Sequence, residues 1–138
     1  MTPQAGQFLD KARQLLEQAD IMLGVGLNEA AGRTAYLAGF HAAQCLIFES
    51  TGKVSKTHAG VQKIFLDLTK NDPRVDSELR RFLSRSYNLK TAADYEMGLG
   101  SAISVERARA AVETGKRFVA HITTLVSSAG GPELSGGA

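Results

Sequence analysis

The sequence predicts an all-α protein, an up-and-down antiparallel bundle of about five helices. Apolar residues recur at intervals of three and four positions through most of the 138 residues, as they do along one face of a helix. The segments between them are short and carry glycine, proline or helix-capping residues, which favours antiparallel neighbours. No stretch of the sequence alternates apolar and polar residues over a useful strand length.

The first two predicted helices differ in the extent of their apolar surface. Residues 4–23 have one apolar face, and the glycines of "GVGLNEAAG" end that helix. This segment is not a nucleotide-binding glycine loop, because no strand precedes it and the required lysine and hydroxyl residues do not follow. Residues 29–50 are apolar nearly all round, so we expect the second helix to lie at the centre of the bundle.

Caps and breaks delimit the other three helices. Ser55 or Thr57 caps the third helix, which is short. Pro73 lies near the first turn of the fourth helix, where proline is tolerated. Ser104 marks the N-terminus of the fifth.

Composition and charge exclude several classes of protein. We expect one domain, a bundle over residues 1–127, followed by a disordered tail of small residues, 128–138. A net charge of +2 gives no general electrostatic case for binding nucleic acid or an anionic membrane. The only cysteine, Cys45, cannot form an internal disulfide, and the longest apolar run, 36–48, is too short to span a bilayer. A cytoplasmic protein is therefore predicted.

The fourth predicted helix carries two separate polar features. Lys90 falls within its apolar sector, and Asp94 lies four residues further on, where the two side chains can pair. A charged pair near a core is costly unless it is well arranged, which indicates a site. The alternatives are an ion pair at the bundle edge and a lysine whose ammonium group reaches solvent. Arg74, Arg81 and Arg85 lie on a different side, as a basic ridge that contacts phosphate or is simply solvated.

Other candidate ligand-binding residues lie near helix starts. Lys56 and His58 flank the start of the third helix, where amide donors and a cation can hold an anion; a plain capping segment is the alternative. Arg33 lies one turn before Tyr36 and can reach a phosphate or a carboxylate, unless it is only a surface arginine. His41 is predicted to be a core or interface histidine. The three histidines lack metal-ligand spacing, so the sequence predicts no metal and no cofactor.

Three segments together resemble a known family. They are "AYLAGFHAAQCLI" (35–47), "KTHAG" (56–60) and "LKTAADYE" (89–96), and their order and spacing are similar to those of the HEPN domain, in its small stand-alone prokaryotic branch. The resemblance implies a helical bundle that often dimerises. Many HEPN proteins are encoded beside a minimal nucleotidyltransferase and form a toxin and antitoxin pair with it, the HEPN member being a metal-independent RNase.

The sequence departs from the catalytic pattern that this resemblance implies, an arginine followed after four to six residues by a histidine. Counting from Arg85, the permitted positions hold Lys90, Thr91 and Ala92. Arg117 and His121 are one residue too close together and lie in the wrong helix. The sequence instead resembles the pattern of this small branch, in which an arginine is followed, after three residues, by an aspartate and a tyrosine.

In that pattern Lys90 takes the place of the arginine, while Asp94 and Tyr95 match directly. An aspartate beside a lysine is a weak base, and lysine cannot grip phosphate with two prongs as arginine does. Both features argue against vigorous RNA cleavage. Neither argues against the binding of RNA, a nucleotide or a partner.

Three functional hypotheses follow from the sequence. The leading one is a homodimeric HEPN-like binding or partner module, which acts with a nucleotidyltransferase in a toxin–antitoxin-type system. The second is a weak or specialised RNase that uses Lys90 and Tyr95 for phosphate contacts and His58 or Asp94 for proton transfer. The third is a purely structural interaction domain. The candidate RNA- or ligand-binding residues are Arg33, Lys56, His58, Arg85, Lys90, Asp94 and Tyr95.

Overall fold

The protein is a bundle of five α-helices in a computed structural model that describes the backbone of residues 1–95 and 103–137 and the side chains of 1–91 and 103–127. No strand occurs among these residues, so the predicted all-α class and helix number are confirmed. The helices are α1 (Pro3–Gly24), α2 (Asn28–Thr51), α3 (His58–Thr69), α4 (Ser77–Tyr95) and α5 (Val105–Gly137).

Side-chain caps fix most of the helix ends where the sequence predicted them. The Thr57 hydroxyl accepts from the amide of Gly60 at 3.0 Å and starts α3, and Ser104 accepts from the amide of Arg107 at 3.2 Å and starts α5. Gly52, at φ 73°, ends α2 in the left-handed conformation that glycine adopts without steric cost. These caps confirm the predicted connections.

The start of α4 differs from the prediction. The helix begins at Ser77, after Asp76 accepts from the amide of Leu79 at 2.9 Å, and Pro73 lies in the preceding turn. Arg74 therefore does not belong to the helix, and its guanidinium binds Asp72 at 2.8 Å. The predicted basic ridge was wrong at Arg74, because the aspartate caps the helix later than the proline suggested.

The end of α5 also lies beyond the predicted position. The helical backbone continues to Gly137 and includes most of the segment predicted as a disordered tail. The side chains of 128–138 lie outside the described residues. The division of the chain into a bundle over 1–127 and a separate tail therefore stays a prediction.

The second helix lies at the centre of the bundle, as predicted from its continuous apolar surface. It packs against α1, α3, α4 and α5. Tyr36 and Ala43 are completely buried on it, and Gly39 meets α4 so closely that an added Cβ atom would lie 2.3 Å from the ring of Phe82. Gly39 therefore sets the distance between α2 and α4. No helix of the described chain is long and apolar enough to cross a membrane.

Gln44 ties the loop between α2 and α3 to the central helix. Its amide nitrogen donates to the carbonyl of Ser55 at 2.8 Å, and its amide oxygen lies 2.8 Å from Nδ1 of His41. Since that oxygen can only accept, Nδ1 of His41 carries the proton and donates it. His41 is half-buried and hydrogen-bonded, in keeping with a core histidine. The loop conformation thus depends on two side chains of α2.

His41 is expected to make the protein less stable in mild acid. Burial is the main cause that lowers the pKa of His41, against the opposing effect of the hydrogen bond to Gln44. The unfolded chain, with a histidine pKa of about 6.5, therefore binds the proton first, and stability is lost as pH falls through that value. We expect the free energy of unfolding, measured with urea, to decrease between about pH 7.5 and about pH 5. His41→Gln should reduce this decrease; an unchanged pH dependence would contradict the assignment.

Candidate functional site

Four rings meet where α2, α3 and α4 come together, and we call this group the aromatic cluster: Tyr36, Phe40, His58 and Tyr87. The His58 ring centroid lies 5.5 Å from Tyr36, 5.0 Å from Phe40 and 5.2 Å from Tyr87. The two tyrosines contact each other edge to face at 5.4 Å. Such tilted and edge-on contacts are the favourable geometries for rings. The cluster fixes the first residue of α3 against the two neighbouring helices.

A hydrogen bond inside the cluster holds the His58 ring in one orientation. The hydroxyl of Tyr36 lies 2.7 Å from Nδ1 of His58, and Tyr36 is completely buried. Burial raises the pKa of Tyr36 to about 12, although a hydrogen bond with Gln62 opposes the shift. The tyrosine thus keeps its proton at neutral pH, and we assign it as the donor to Nδ1. In that arrangement the proton of a neutral His58 is on Nε2.

Removal of the Tyr36 hydroxyl is expected to destabilise the protein without removing the ring. Tyr36→Phe leaves Nδ1 of His58 without its hydroxyl partner, and the expected loss in the free energy of unfolding is about 1–2 kcal/mol. Tyr87→Phe is the matched control, because no hydrogen bond of the Tyr87 hydroxyl occurs among the described residues. Urea unfolding of both variants tests this expectation. Equal losses of unfolding free energy in the two variants would show that the hydrogen bond between Tyr36 and His58 does not contribute measurably to stability.

The structure brings some of the predicted site residues close to the aromatic cluster. His58 is a member of it, half-buried at the start of α3. Lys90 is also half-buried and lies one turn after Tyr87 on α4, while the exposed Arg33 lies one turn before Tyr36 on α2. Both cations have interaction partners of their own. Lys56 is exposed in the loop before α3.

Two members of the predicted constellation are described only in part. The backbone of Asp94 and Tyr95 forms the last turn of α4. Their side chains lie outside the described residues, so the pairing of Lys90 with Asp94 stays a prediction. The half-buried position of Lys90 agrees with its predicted place within the apolar sector of the helix.

Arg85 lies on another face of α4, in an open groove between α4 and α5 that we call the α4–α5 groove. Arg85 and Arg107 are both exposed and contribute to its lining. Phe82, Leu89 and Ala111 form an apolar floor, and the cavity volume is about 460 Å³. The structure therefore separates Arg85 from His58 and the aromatic cluster. The sequence did not single out Arg107, which faces this groove from the first turn of α5.

Comparison with known proteins assigns the chain to a family. The family model of the HEPN domain matches residues 5–124. The chain belongs to the HEPN family. Its predicted resemblance to this family is confirmed over nearly all of the described bundle.

Relatives of this HEPN chain occur in archaea and bacteria. It is 30% identical over 109 residues to a UPF0332 protein of Archaeoglobus fulgidus, a match that covers 79% of this chain and 84% of the relative. It is 33% identical over 88 residues to a protein of Methanocaldococcus jannaschii named "Putative toxin MJ0605", covering 64% and 65% of the two chains. A UPF0332 protein of Gloeobacter violaceus is 27% identical over 119 residues, 86% of this chain and 93% of that one.

A solved structure shares the fold of the HEPN chain. The crystal structure of TT1696 from Thermus thermophilus superposes with a TM-score of 0.70 and 22% sequence identity, covering 89% of this chain and 98% of that one. This likeness supports the helical bundle described above.

Across the described part of the HEPN chain, no three histidine, cysteine or acidic side chains lie close enough to bind a metal ion. From the sequence, Tyr36 and His58 were noted separately, and their contact with each other and with Tyr87 was missed. The available signal was the spacing of Tyr36 and Phe40 by four residues, which places both rings on one face of α2.

Proposed function

We propose that this HEPN chain is a toxin-like binding module, which works as a homodimer with a nucleotidyltransferase partner. Membership of the HEPN family and the name of the Methanocaldococcus relative support the toxin-like class. The sequence resemblance to HEPN proteins encoded beside nucleotidyltransferases motivates the choice of partner. The ligand that Arg33, Lys56 and Lys90 would bind is RNA or a nucleotide.

One observation favours binding over vigorous catalysis. His58 packs against α4; its ring is hydrogen-bonded to Tyr36 and contacts the rings of Tyr36, Phe40 and Tyr87. A general base must accept a proton, whereas in the arrangement assigned above Nδ1 of His58 accepts from Tyr36 and Nε2 already carries the proton of the neutral ring. The positions after Arg85 where a catalytic histidine is expected hold Lys90, Thr91 and Ala92. The groups near the aromatic cluster are better suited to holding a ligand.

A metal-independent RNase is the second candidate, and the position of His58 is the observation in its favour. The histidine contacts Tyr87, and Lys90 follows Tyr87 by one turn of α4. A fixed imidazole near a cation is a combination that can move a proton and stabilise a charged phosphate. In this mechanism Nε2 of His58 would exchange the proton while Lys90 and Tyr95 contact the phosphate.

Incubation with RNA in the absence of metal separates the two candidates. Purified protein is mixed with total cellular RNA, beside the Lys90→Ala, Asp94→Ala and His58→Gln variants, and the RNA is resolved by electrophoresis. We expect intact RNA in every lane. Cleavage that disappears in variants that still fold would establish the RNase and contradict the binding module.

Purification from the native cell tests the partner. We expect a nucleotidyltransferase to co-purify with the HEPN chain and the complex to contain two HEPN copies by mass measurement. A monomer without a companion would contradict both parts of the proposal. If Lys90→Ala and Asp94→Ala alter only stability or dimerisation and no ligand binding, the purely structural interaction domain replaces it.

A further inference from the structure

The α4–α5 groove carries positive charge that no acid of the described chain neutralises. Arg85 stands on the α4 wall and Arg107 on the α5 wall, and neither guanidinium has an acidic partner among the described residues. Glu78 also lines the groove, at the start of α4, but it pairs with Arg117. Two exposed cations on facing walls attract an anionic occupant.

Other cations nearby are paired within the chain. Arg117 binds Asp76 as well as Glu78, Lys116 binds Asp20 at 2.9 Å, and Arg74 binds Asp72. The acids at the start of α4, Asp76 and Glu78, are therefore already engaged by Arg117, a cation outside the groove lining. Arg85 and Arg107 differ from these paired cations because no acid of the described residues binds them and because they face each other across the α4–α5 groove.

The floor of the groove favours a protein segment over a nucleic-acid base. Ala110 and Ala111 have short side chains, so the backbone of a bound protein segment can approach α5 closely. Among the described residues that line the groove, Phe82 is the only aromatic one, and it is only 4% exposed. Bases bind sequence-tolerant sites largely by stacking on exposed rings, and this groove presents none among its described residues. An apolar floor between charged rims is instead the pattern of a helix-binding groove.

The size of the groove agrees with a short helix. Its α4 wall runs from Glu78 to Leu89, twelve positions of regular helix, which corresponds to a length of about 17 Å or three turns. A second copy of this chain is a poor occupant. Two-fold pairing through the groove would bring Arg85 and Arg107 of both copies into one interface, whose described acid, Glu78, already pairs with Arg117; such a concentration of like charge is unfavourable.

We infer that the α4–α5 groove is the docking site for an acidic amphipathic helix of a protein partner. The apolar stripe of that helix would rest on Leu89, Ala110 and Ala111, and acidic residues on its two flanks would reach Arg85 and Arg107. The inference rests on the proposed function for the existence of a protein partner, and it adds the surface and the chemistry by which such a partner is recognised.

Selection from a library of helical peptides of about twelve residues, three turns in length, tests the chemistry of the groove. The folded full-length protein is the target, at low salt. We expect enriched peptides to combine an apolar stripe with glutamate or aspartate on both flanks. Their affinity, measured by fluorescence anisotropy, should fall about ten-fold or more in the Arg85→Gln/Arg107→Gln variant. Glutamine in place of the peptide's acids should cause a similar loss.

The matched control is Arg81→Gln/Arg109→Gln, which removes two exposed arginines of the same helices outside the groove lining. This control should bind the peptides as the unmodified protein does. Equal losses in both double variants would overturn the inference, since general attraction would then explain binding. Enriched peptides whose affinity does not change in Arg85→Gln/Arg107→Gln would also overturn the inference. So would an RNA oligomer that binds more tightly than the peptides and whose binding requires the same two arginines.

Co-purification with the groove variant separates this inference from the proposed function. Loss of the nucleotidyltransferase in Arg85→Gln/Arg107→Gln, with retention in Arg81→Gln/Arg109→Gln, supports both. Retention of the partner in both variants overturns the groove as its docking site and leaves the proposed function standing. A third outcome is that peptides bind in a way that depends on Arg85 and Arg107, while no nucleotidyltransferase co-purifies with the protein. This outcome supports the groove as a helix-docking site and contradicts the proposed partner.

Discussion

Gly39→Ala is expected to lower the free energy of unfolding by about 3 kcal/mol, the upper part of the range for overpacked cores. The new Cβ atom would lie 2.3 Å from Cε2 of Phe82 and 3.3 Å from Cδ2 of Leu83. Both side chains are almost completely buried, and Phe82 also packs against Phe118, so neither can move away without disturbing other contacts. The helices α2 and α4 would have to separate.

Gly6→Ala is the matched control, because no atom lies within 4 Å of the Cβ position at this glycine of α1. Alanine has the better helix propensity, so this variant should be more stable by about 0.5–1 kcal/mol. Urea unfolding monitored by circular dichroism measures both changes. A Gly39→Ala variant as stable as the unmodified protein would mean that the contact between α2 and α4 is looser than described.

Phe118→Ala is expected to have the largest effect of any single substitution considered for this chain, a loss of about 3–5 kcal/mol. The ring is 1% exposed and lies between Phe65 of α3 and Phe82 of α4, at centroid distances of 5.2 and 5.0 Å. Its removal leaves a cavity that three helices line, and these helices cannot all close on it at once. A substantial part of the stability of a domain of this size would be lost.

Two controls distinguish the cavity from the mere loss of an aromatic residue. Phe118→Leu keeps most of the volume and should cost much less than Phe118→Ala. Phe8→Ala removes a half-buried ring that packs against Phe48 at 6.4 Å, and it should also cost less. The midpoints and slopes of urea unfolding test the order. If Phe8→Ala were the more damaging variant, the packing of α1 against α2 would contribute more to stability than the packing of Phe118 against α3 and α4.

The helices were largely predictable from local sequence because local physics defines them. The continuous apolar surface of residues 29–50 correctly placed α2 at the centre. Ser104 was correctly identified as a cap, and of the two candidates Ser55 and Thr57 the structure selects Thr57. The start of α4 was wrong, since Pro73 and Asp76 are both plausible start signals. Only the structure shows that the carboxylate of Asp76 receives the amide of Leu79.

The candidate site was less predictable because it depends on contacts between helices. The sequence drew attention to His58 as a helix-start residue. Its contact with Tyr36 and Tyr87 requires the relative rotation of α2, α3 and α4, which single-helix periodicity does not fix. Likewise, the position of Arg85 opposite Arg107 in the α4–α5 groove depends on how α5 lies beside α4.

The attachment of α3 has a consequence for how the folded protein opens. This short helix is held at its first turn by the Thr57 cap, by the contact of His58 with Tyr36, and by Gln44, whose amide holds the carbonyl of Ser55 just before it. Deeper in the bundle it is anchored by Phe65. Because these contacts lie close together, the loop and α3 are placed to detach as one cooperative unit at a free energy below that of global unfolding. Amide hydrogen exchange in α3 would then be faster than in α2, and the two would respond differently to denaturant.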